Sequence, residues 1–275
     1  MNDDDIGRSH GMHVVHDGPR QAPALLLVHG SGMSSGFWNP VVPALAAGHH
    51  VIRVDLPGCG QSPPTGSYGV AVQAGRVAAL LDGLGVRSVA AAGHSSGGYV
   101  ATALAERRPG LVRSLALVSC GPRPDALLPQ PLALRALTAP PFGRLLWAAR
   151  SDAAIRRWIG AMCVRPAGLP DGALAELRGT TYRALRAVLR GNTEYITERS
   201  MPERLAALGV PGLVVFGAAD PRWEPSSAHQ YGAVPGTRVE LLPGVGHVPM
   251  VEAPEETGDL LRRFAAVGAA EGGPS

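Results

Sequence analysis

The chain has 275 residues, 25 basic against 22 acidic, with 45% hydrophobic and 17% charged side chains. It is too apolar and too weakly charged for an intrinsically disordered protein, and its length suits one large domain or a domain carrying an insertion. The formal charge of +3 comes without any Arg-dense run, which argues against tracking a nucleic-acid backbone.

The opening Met1-Asn2-Asp3-Asp4-Asp5 carries acid where a secretory leader carries base. No apolar run reaches the ~20 residues of a membrane helix, so a soluble cytoplasmic protein without membrane partners is expected. Cys59, Cys120 and Cys163 are odd in number and far apart, a pattern of reduced thiols and not of a zinc site or disulfide framework. Short apolar runs then alternate with amphipathic stretches, the signature of an α/β protein with a parallel sheet. Strands are predicted at 12–16 (on the sheet's edge), 24–28, 51–54, 88–92, 114–118, 213–216 and 239–242. Helices are predicted at 37–47, 70–84, 97–108, 202–208 and 254–267. Pro202 and Pro254 sit where a first helical turn tolerates proline. The tail Glu271 to Ser275 reads as disordered.

Between Gly121 and Ser200 strand patterns give way to helical ones. Ile155, Trp158, Ile159 and Met162 form one stripe, and Leu174, Leu177, Thr181, Leu185 and Val188 a second, weakened by Gly179. Residues 1–120 and 201–275 are therefore read as an α/β body, and 121–200 as a helical cap inserted into it. The insert holds twelve arginines and six acids, a net +6, against −3 for the remainder.

The strongest chemical signal is Gly93-His94-Ser95-Ser96-Gly97, a G-x-S-x-G between a predicted strand and a predicted helix. A serine nucleophile on so tight a turn needs small neighbours two residues to either side, and the helix start places free N–H groups beside developing negative charge. His29-Gly30-Ser31-Gly32 follows another strand. Its Ser31 N–H and that of Ser96 are the expected oxyanion donors, with Gly32 as a substitute for Ser31. A serine needs a base and the base an orienting acid. Of nine histidines, His247 stands in a glycine-rich loop past the last strand, and Asp220 and Asp125 each follow a strand. The run His10, His13, His16 lies near the terminus without a cysteine partner and reads as solvated or edge-strand; no metal and no cofactor are expected. Asp55, in Asp55-Leu56-Pro57-Gly58, reads as a turn stabiliser.

Taken in order, HGSG at His29 to Gly32, Trp38, DLPGCGQS at Asp55 to Ser62, GHSSGG at Gly93 to Gly98, FGAAD at Phe216 to Asp220 and GVGHVPMVEAPE at Gly244 to Glu255 resemble the α/β-hydrolase superfamily over nearly the whole chain. The resemblance implies a mostly parallel eight-stranded sheet with helices on both faces and a helical cap between strands six and seven. It carries the nucleophile onto Ser95, the acid onto Asp220 and the base onto His247, with Asp125 as the alternative acid. Serine at the nucleophile position separates the chain from haloalkane dehalogenases and epoxide hydrolases.

The expected activity is hydrolysis of a carboxylic ester or thioester of a small to medium apolar substrate. C–C bond hydrolysis, acyl transfer, biosynthetic cyclisation and non-enzymatic ligand reception on the same fold are the alternatives. Trp38, Trp147, Trp158 and Met162, with Phe142 and Tyr182, are the candidate pocket residues, although Trp158 and Met162 equally suit packing of cap on body. The basic cap suits solvated helix faces, or attraction of an acyl carrier protein or acyl-CoA.

Overall fold

The computed structural model describes residues 8–9, 11–139 and 141–270; His10, the acidic start and the tail at 271–275 lie outside them. Eight strands are present: Arg8–Ser9 (β1), Met12–Asp17 (β2), Ala24–Val28 (β3), His50–Val54 (β4), Val89–His94 (β5), Val112–Val118 (β6), Gly212–Gly217 (β7) and Thr237–Leu242 (β8). Their order in space is β1-β2-β4-β3-β5-β6-β7-β8. All pairings from β4 onward through β8 are parallel, and β1 and β2 are antiparallel. β1 is only two residues long, so seven strands make up the main sheet. It covers β2, which is thus not the outermost strand that its position in the chain suggests.

The central strands are apolar without alternation because both faces of the sheet are covered. Leu26 and Val28 of β3 face one hydrophobic layer, shared with Val77 and Leu81 of helix α2 (Val70–Gly83) and Tyr99 and Leu104 of α3 (Ser96–Arg107). Leu25 and Leu27 face the other, shared with Leu45 of α1 (Val42–Ala46) and with Leu261 and Ala265, which lie in the final helix, Pro254–Ala270. The helix expected over 37–47 is instead a 3-10 segment, Ser35–Val41, followed by α1. Pro40 and Pro43 lack the N–H groups that a continuous α-helix requires there.

The insert between β6 and β7 contributes Leu132–Thr138 (α4), Gly143–Ala148 (α5), Asp152–Gly160 (α6), Ala173–Gly179 (α7) and Tyr182–Glu198 (α8). The second predicted stripe is split between α7 and α8, because Gly179 is a poor helix former and Thr181 caps a new start by accepting from the Ala184 N–H at 3.1 Å. Met162 falls just past the end of α6, outside the stripe it was expected to complete. Among the contacts that tie the insert to the body, Ser34 Oγ donates to Glu176 of α7, Glu252 accepts from the N–H groups of Val164 and Arg165, and Leu127 pairs with Trp223 in a single β-bridge. After α8, Met201–Leu208 (α9) leads back to β7, entered through a capping box of Ser200 and Glu203. Pro249–Glu252 (α10) and Pro254–Ala270 (α11) close the chain. No helix of the described residues is long and apolar enough to cross a membrane.

Candidate active site

Ser95 sits between β5 and α3 with φ 51° and ψ −122°, a backbone conformation that residues other than glycine seldom adopt. The turn is possible because its flanks are bare. A Cβ on Gly93 would lie 2.4 Å from the backbone of Gly97, and one on Gly97 would lie 2.3 Å from the carbonyl oxygen of Val28. The N–H of Ser95 donates to Val118 O at 2.7 Å, which ties the turn to the neighbouring strand.

Three loops leaving the same edge of the sheet converge on this serine. His247 Nε2 lies 3.2 Å from Ser95 Oγ, and His247 Nδ1 lies 2.8 Å from Asp220 Oδ2. Asp220 Oδ1 accepts from the N–H groups of Arg222 at 2.8 Å and Trp223 at 3.2 Å. Burial alone would raise the Asp220 carboxyl. The adjoining His247 ring and these hydrogen bonds outweigh it and hold the group below its ordinary value, hence ionised. Asp125, the alternative acid, is exposed and lies 3.8 Å from Arg123. It does not reach His247, because the 3-10 turn Pro124–Ala126 directs it outward.

Two residues with no part in the expected chemistry hold the His247 loop. Glu252, buried on α10, accepts from the N–H groups of Gly246 at 2.9 Å and Val248 at 3.1 Å, as well as from the insert at Val164 and Arg165. His94 donates from Nε2 to the carbonyl of His247 at 2.8 Å. Its burial, with the His247 ring beside it, lowers its pKa to about 3, so it stays a neutral, fixed donor. Neither role had a sequence signal beyond position within a motif. His247 N–H in turn donates to Met162 O at 2.8 Å, a link from insert to body that no side-chain pattern encodes.

The backbone N–H groups of Ser31 and Ser96 donate to no acceptor among the described residues, and both residues line a cavity with Ser95. Their hydroxyls are joined, Ser31 Oγ donating to Ser96 Oγ at 2.8 Å, and Asn192 Nδ2 of α8 donates to Ser31 Oγ at 3.0 Å. Asn192 is a cavity residue that the sequence reading missed. Asp55 behaves as a turn stabiliser, accepting from Ser35 N–H at 2.7 Å and Gln61 N–H at 2.9 Å. His13 Nδ1 lies 3.0 Å from Asp55 Oδ2, the oxygen that also accepts from Gln61, so this histidine serves the Asp55 turn.

The sequence profile of the alpha/beta hydrolase family matches residues 25–260. The chain belongs to that family. It is 31% identical over 262 residues to an uncharacterized protein of Mycobacterium tuberculosis, covering 88% of this chain and 75% of the relative. It is 28% identical over 257 residues to the pimeloyl-[acyl-carrier protein] methyl ester esterase of Neisseria meningitidis, covering 90% of this chain and 94% of that enzyme. A carboxylesterase of Bacillus subtilis superposes with a TM-score of 0.71 at 21% identity, over 92% of this chain and 87% of the other, a likeness of fold.

In this hydrolase the cavity over Ser95 has a volume of about 240 Å³, and its far wall comes from the insert. Trp147, Trp158 and Met162 line it, the two indoles meeting edge to face at 6.4 Å between ring centroids. Trp38 does not line it. The 3-10 segment turns Trp38 into the hydrophobic layer beneath the sheet, where it is fully buried beside Phe37 and Val41. Phe142 is exposed, and Tyr182 faces a separate groove with Arg183 and Arg186.

Proposed function

We propose that the protein is a serine hydrolase that cleaves a carboxylic ester or thioester through an acyl-enzyme. The observation that carries the reading is the unbroken hydrogen-bonded series Asp220–His247–Ser95, opening into a cavity beside two unused N–H groups. In the first half-reaction His247 Nε2 takes the Ser95 Oγ proton as Oγ bonds to the acyl carbon. The N–H groups of Ser31 and Ser96 hold the oxyanion, at ~3–4 kcal/mol for each well-placed donor. The tetrahedral adduct then expels the alkoxide or thiolate, which receives the proton from His247. In the second half-reaction His247 deprotonates a water that attacks the acyl carbon, and Ser95 leaves with its proton restored. Asp220 fixes the imidazole tautomer throughout.

The insert acts in this reading as a cap that selects an apolar acyl or alcohol group through Trp147, Trp158 and Met162. Its excess of arginine supports docking of an acyl carrier protein or acyl-CoA, and the Neisseria relative is named for an ester borne by such a carrier. The free cysteines suit action in a reducing cytoplasm. A fluorophosphonate probe should label the wild-type protein at Ser95 and leave the folded Ser95→Ala variant unlabelled. A folded wild type that neither labels nor turns over p-nitrophenyl esters would overturn the reading. For carrier docking, kcat/KM on carrier-linked esters should fall with added salt while that on free esters stays level.

A further inference from the structure

Two deeply placed arginines of the body have a clear structural occupation. Arg53 makes a two-pronged pair with Asp17 and also donates to Asn39, and Arg204 pairs with Glu106 and Glu198 while lying over the Tyr195 ring. Arg150 of the insert donates to the carbonyls of Trp147, Leu177, Arg178 and Thr180. Arg222 differs. Its half-buried side chain lines the cavity over Ser95; among the described residues it makes no ion pair, lies 5.8 Å from the centroid of the Trp223 ring, and makes one long hydrogen bond, Nη1 donating to Gln130 Oε1 at 3.4 Å.

Its position is nevertheless built. The N–H of Arg222 is held by Asp220, its carbonyl accepts from Leu128 N–H at 2.9 Å, and the next residue, Trp223, is buried. Gln130 is itself fixed by donating from Nε2 to Leu128 O at 2.7 Å. Burial disfavours the charged guanidinium, and the body groups that offset this are the Tyr99 hydroxyl and then Asp220. Asp220 already serves His247 and two N–H groups. Arg135, on α4, also lines the cavity and has no ion pair among the described residues. No aspartate or glutamate lines the cavity with them. A half-buried fork of five donors, with one in weak use, is costly unless an anion completes it.

We infer that Arg222, oriented by Gln130, is a specificity-determining residue that receives a carboxylate of the substrate, so that the hydrolase acts on acidic esters: an apolar chain with the scissile ester at one end and a free carboxylate at the other. The guanidinium fork matches a planar carboxylate in two parallel hydrogen bonds, with Arg135 adding attraction at the entrance. The inference rests on the proposed hydrolase chemistry for its substrate, and on Arg222 alone for its anion.

The test compares the mono-p-nitrophenyl ester of adipic acid with its neutral ω-amide. Wild type should favour the acid by about tenfold or more in kcat/KM, and Arg222→Gln should erase most of that ratio. Arg222→Lys, which keeps the charge and loses the fork, should retain part of it. Arg262→Gln removes an equal charge on the distant face of α11 and should leave the ratio intact. A neutral substrate preferred by wild type, or a ratio unmoved in Arg222→Gln, would overturn the inference. Calorimetric titration of Ser95→Ala with monomethyl adipate against dimethyl adipate separates the two readings. Carboxylate-dependent binding that Arg222→Gln removes, in a protein whose wild type turns over no ester, refutes the hydrolase chemistry and keeps the anion site. Equal, Arg222-independent binding of the two esters refutes the anion site whatever the turnover.

Discussion

The floor and the far wall of the cavity are built on different principles. On the floor, every group around Ser95 leaves the sheet at a strand end: Ser31 after β3, Ser95 after β5, Asp220 after β7 and His247 after β8. Parallel register therefore fixes their mutual positions before any side chain is chosen. The far wall comes from separate helices, α4 to α7 short and α8 of 17 residues, that share no ladder. Side-chain and loop hydrogen bonds, and the packing of Ile155, Ile159 and Leu177 in one layer with Leu25 and Leu27, hold it to the body. Of the large hydrophobic side chains left exposed among the described residues, Leu127, Leu132, Phe142, Leu145, Leu146 and Val164 belong to the insert and only Val72 to the body. The floor can be specified to a fraction of an ångström, whereas the wall can vary in sequence and shape without disturbing the chemistry.

That contrast is sharpest at Asp220. Asp220→Asn should lower kcat by ~10⁴-fold with little change in KM, because the amide leaves His247 in the wrong tautomer while the cavity keeps its shape. Asp125→Asn should leave kcat/KM within about twofold, since Asp125 is exposed and away from His247. A steep loss in the second variant and none in the first would reverse the assignment of the acid. Steady-state kinetics on one p-nitrophenyl ester decides it.

Glu252 is where floor and wall meet, and breaking it should have the next largest effect. Its carboxylate accepts four backbone N–H groups, two flanking His247 and two in the insert. Glu252→Gln replaces one of the two acceptor oxygens by a donor aimed at N–H groups. The expected cost is ~10–100-fold in kcat together with about 1–3 kcal/mol of stability. A purely structural role would lower the denaturation midpoint and leave kcat of the folded fraction untouched, so the two measurements belong together.

How much of this was legible follows the same division. G-x-S-x-G, HGSG and the glycine-rich loop around His247 are visible in the sequence because tight turns demand particular small residues at fixed spacing. The strands around them are visible because burial on both faces leaves little room for polar residues. The supports were hidden for physical reasons. Glu252 acts through backbone N–H groups, which any residue supplies, so its partners carry no signature. Asn192 and Arg222 depend on how α8 and the 126–130 segment pass over the sheet, which no local pattern records. Trp38 misled because a large aromatic next to a motif looks the same whether its ring faces the cavity or the core. The split of α7 from α8 was foreshadowed by Gly179, although the stripe of apolar residues ran through it.

Acid should act early on the buried histidines: His94 of the floor and, at the β2–β4 side, His16, which burial lowers to about 4, with His49 and His50 lowered likewise. Burial, with the His247 ring, lowers His94 from 6.5 to about 3. A depressed folded pKa gives stability that is complete above the unfolded value and disappears as pH falls, here between about pH 6.5 and 3. Asp55 shows the same sign lower down. Burial alone would raise it, and its contacts with His13, His29, Gln61 and Ser35 instead hold it at about 2, against 3.8 in the unfolded chain. Its contribution of about 2 kcal/mol is complete above about pH 4 and lost as pH drops through 2. Denaturant titrations from pH 7 to 3 should therefore show stability falling already below pH 6.5, with a shallower slope in His94→Gln. A flat profile down to pH 4 would contradict the buried neutral state of His94.

The smallest effect belongs to the wall. Trp158 is half-buried on α6, stands edge to face against Trp147, and lines the cavity without touching the Asp220–His247–Ser95 series. Truncation to Ala enlarges the space under the insert and removes apolar contact from a substrate that fits it. The preference between short and long acyl p-nitrophenyl esters should then shift by about tenfold toward the longer chain, carried mostly by KM. Trp38→Ala deletes an indole of the same size from the core and should instead cost about 3–5 kcal/mol of stability without changing that preference. If Trp38→Ala altered chain-length selectivity while Trp158→Ala altered only stability, the two tryptophans would have exchanged the roles that their burial assigns. The pair thus tests whether selectivity resides in the insert, where the sequence tolerates change, or in the packed layer that holds the floor in place.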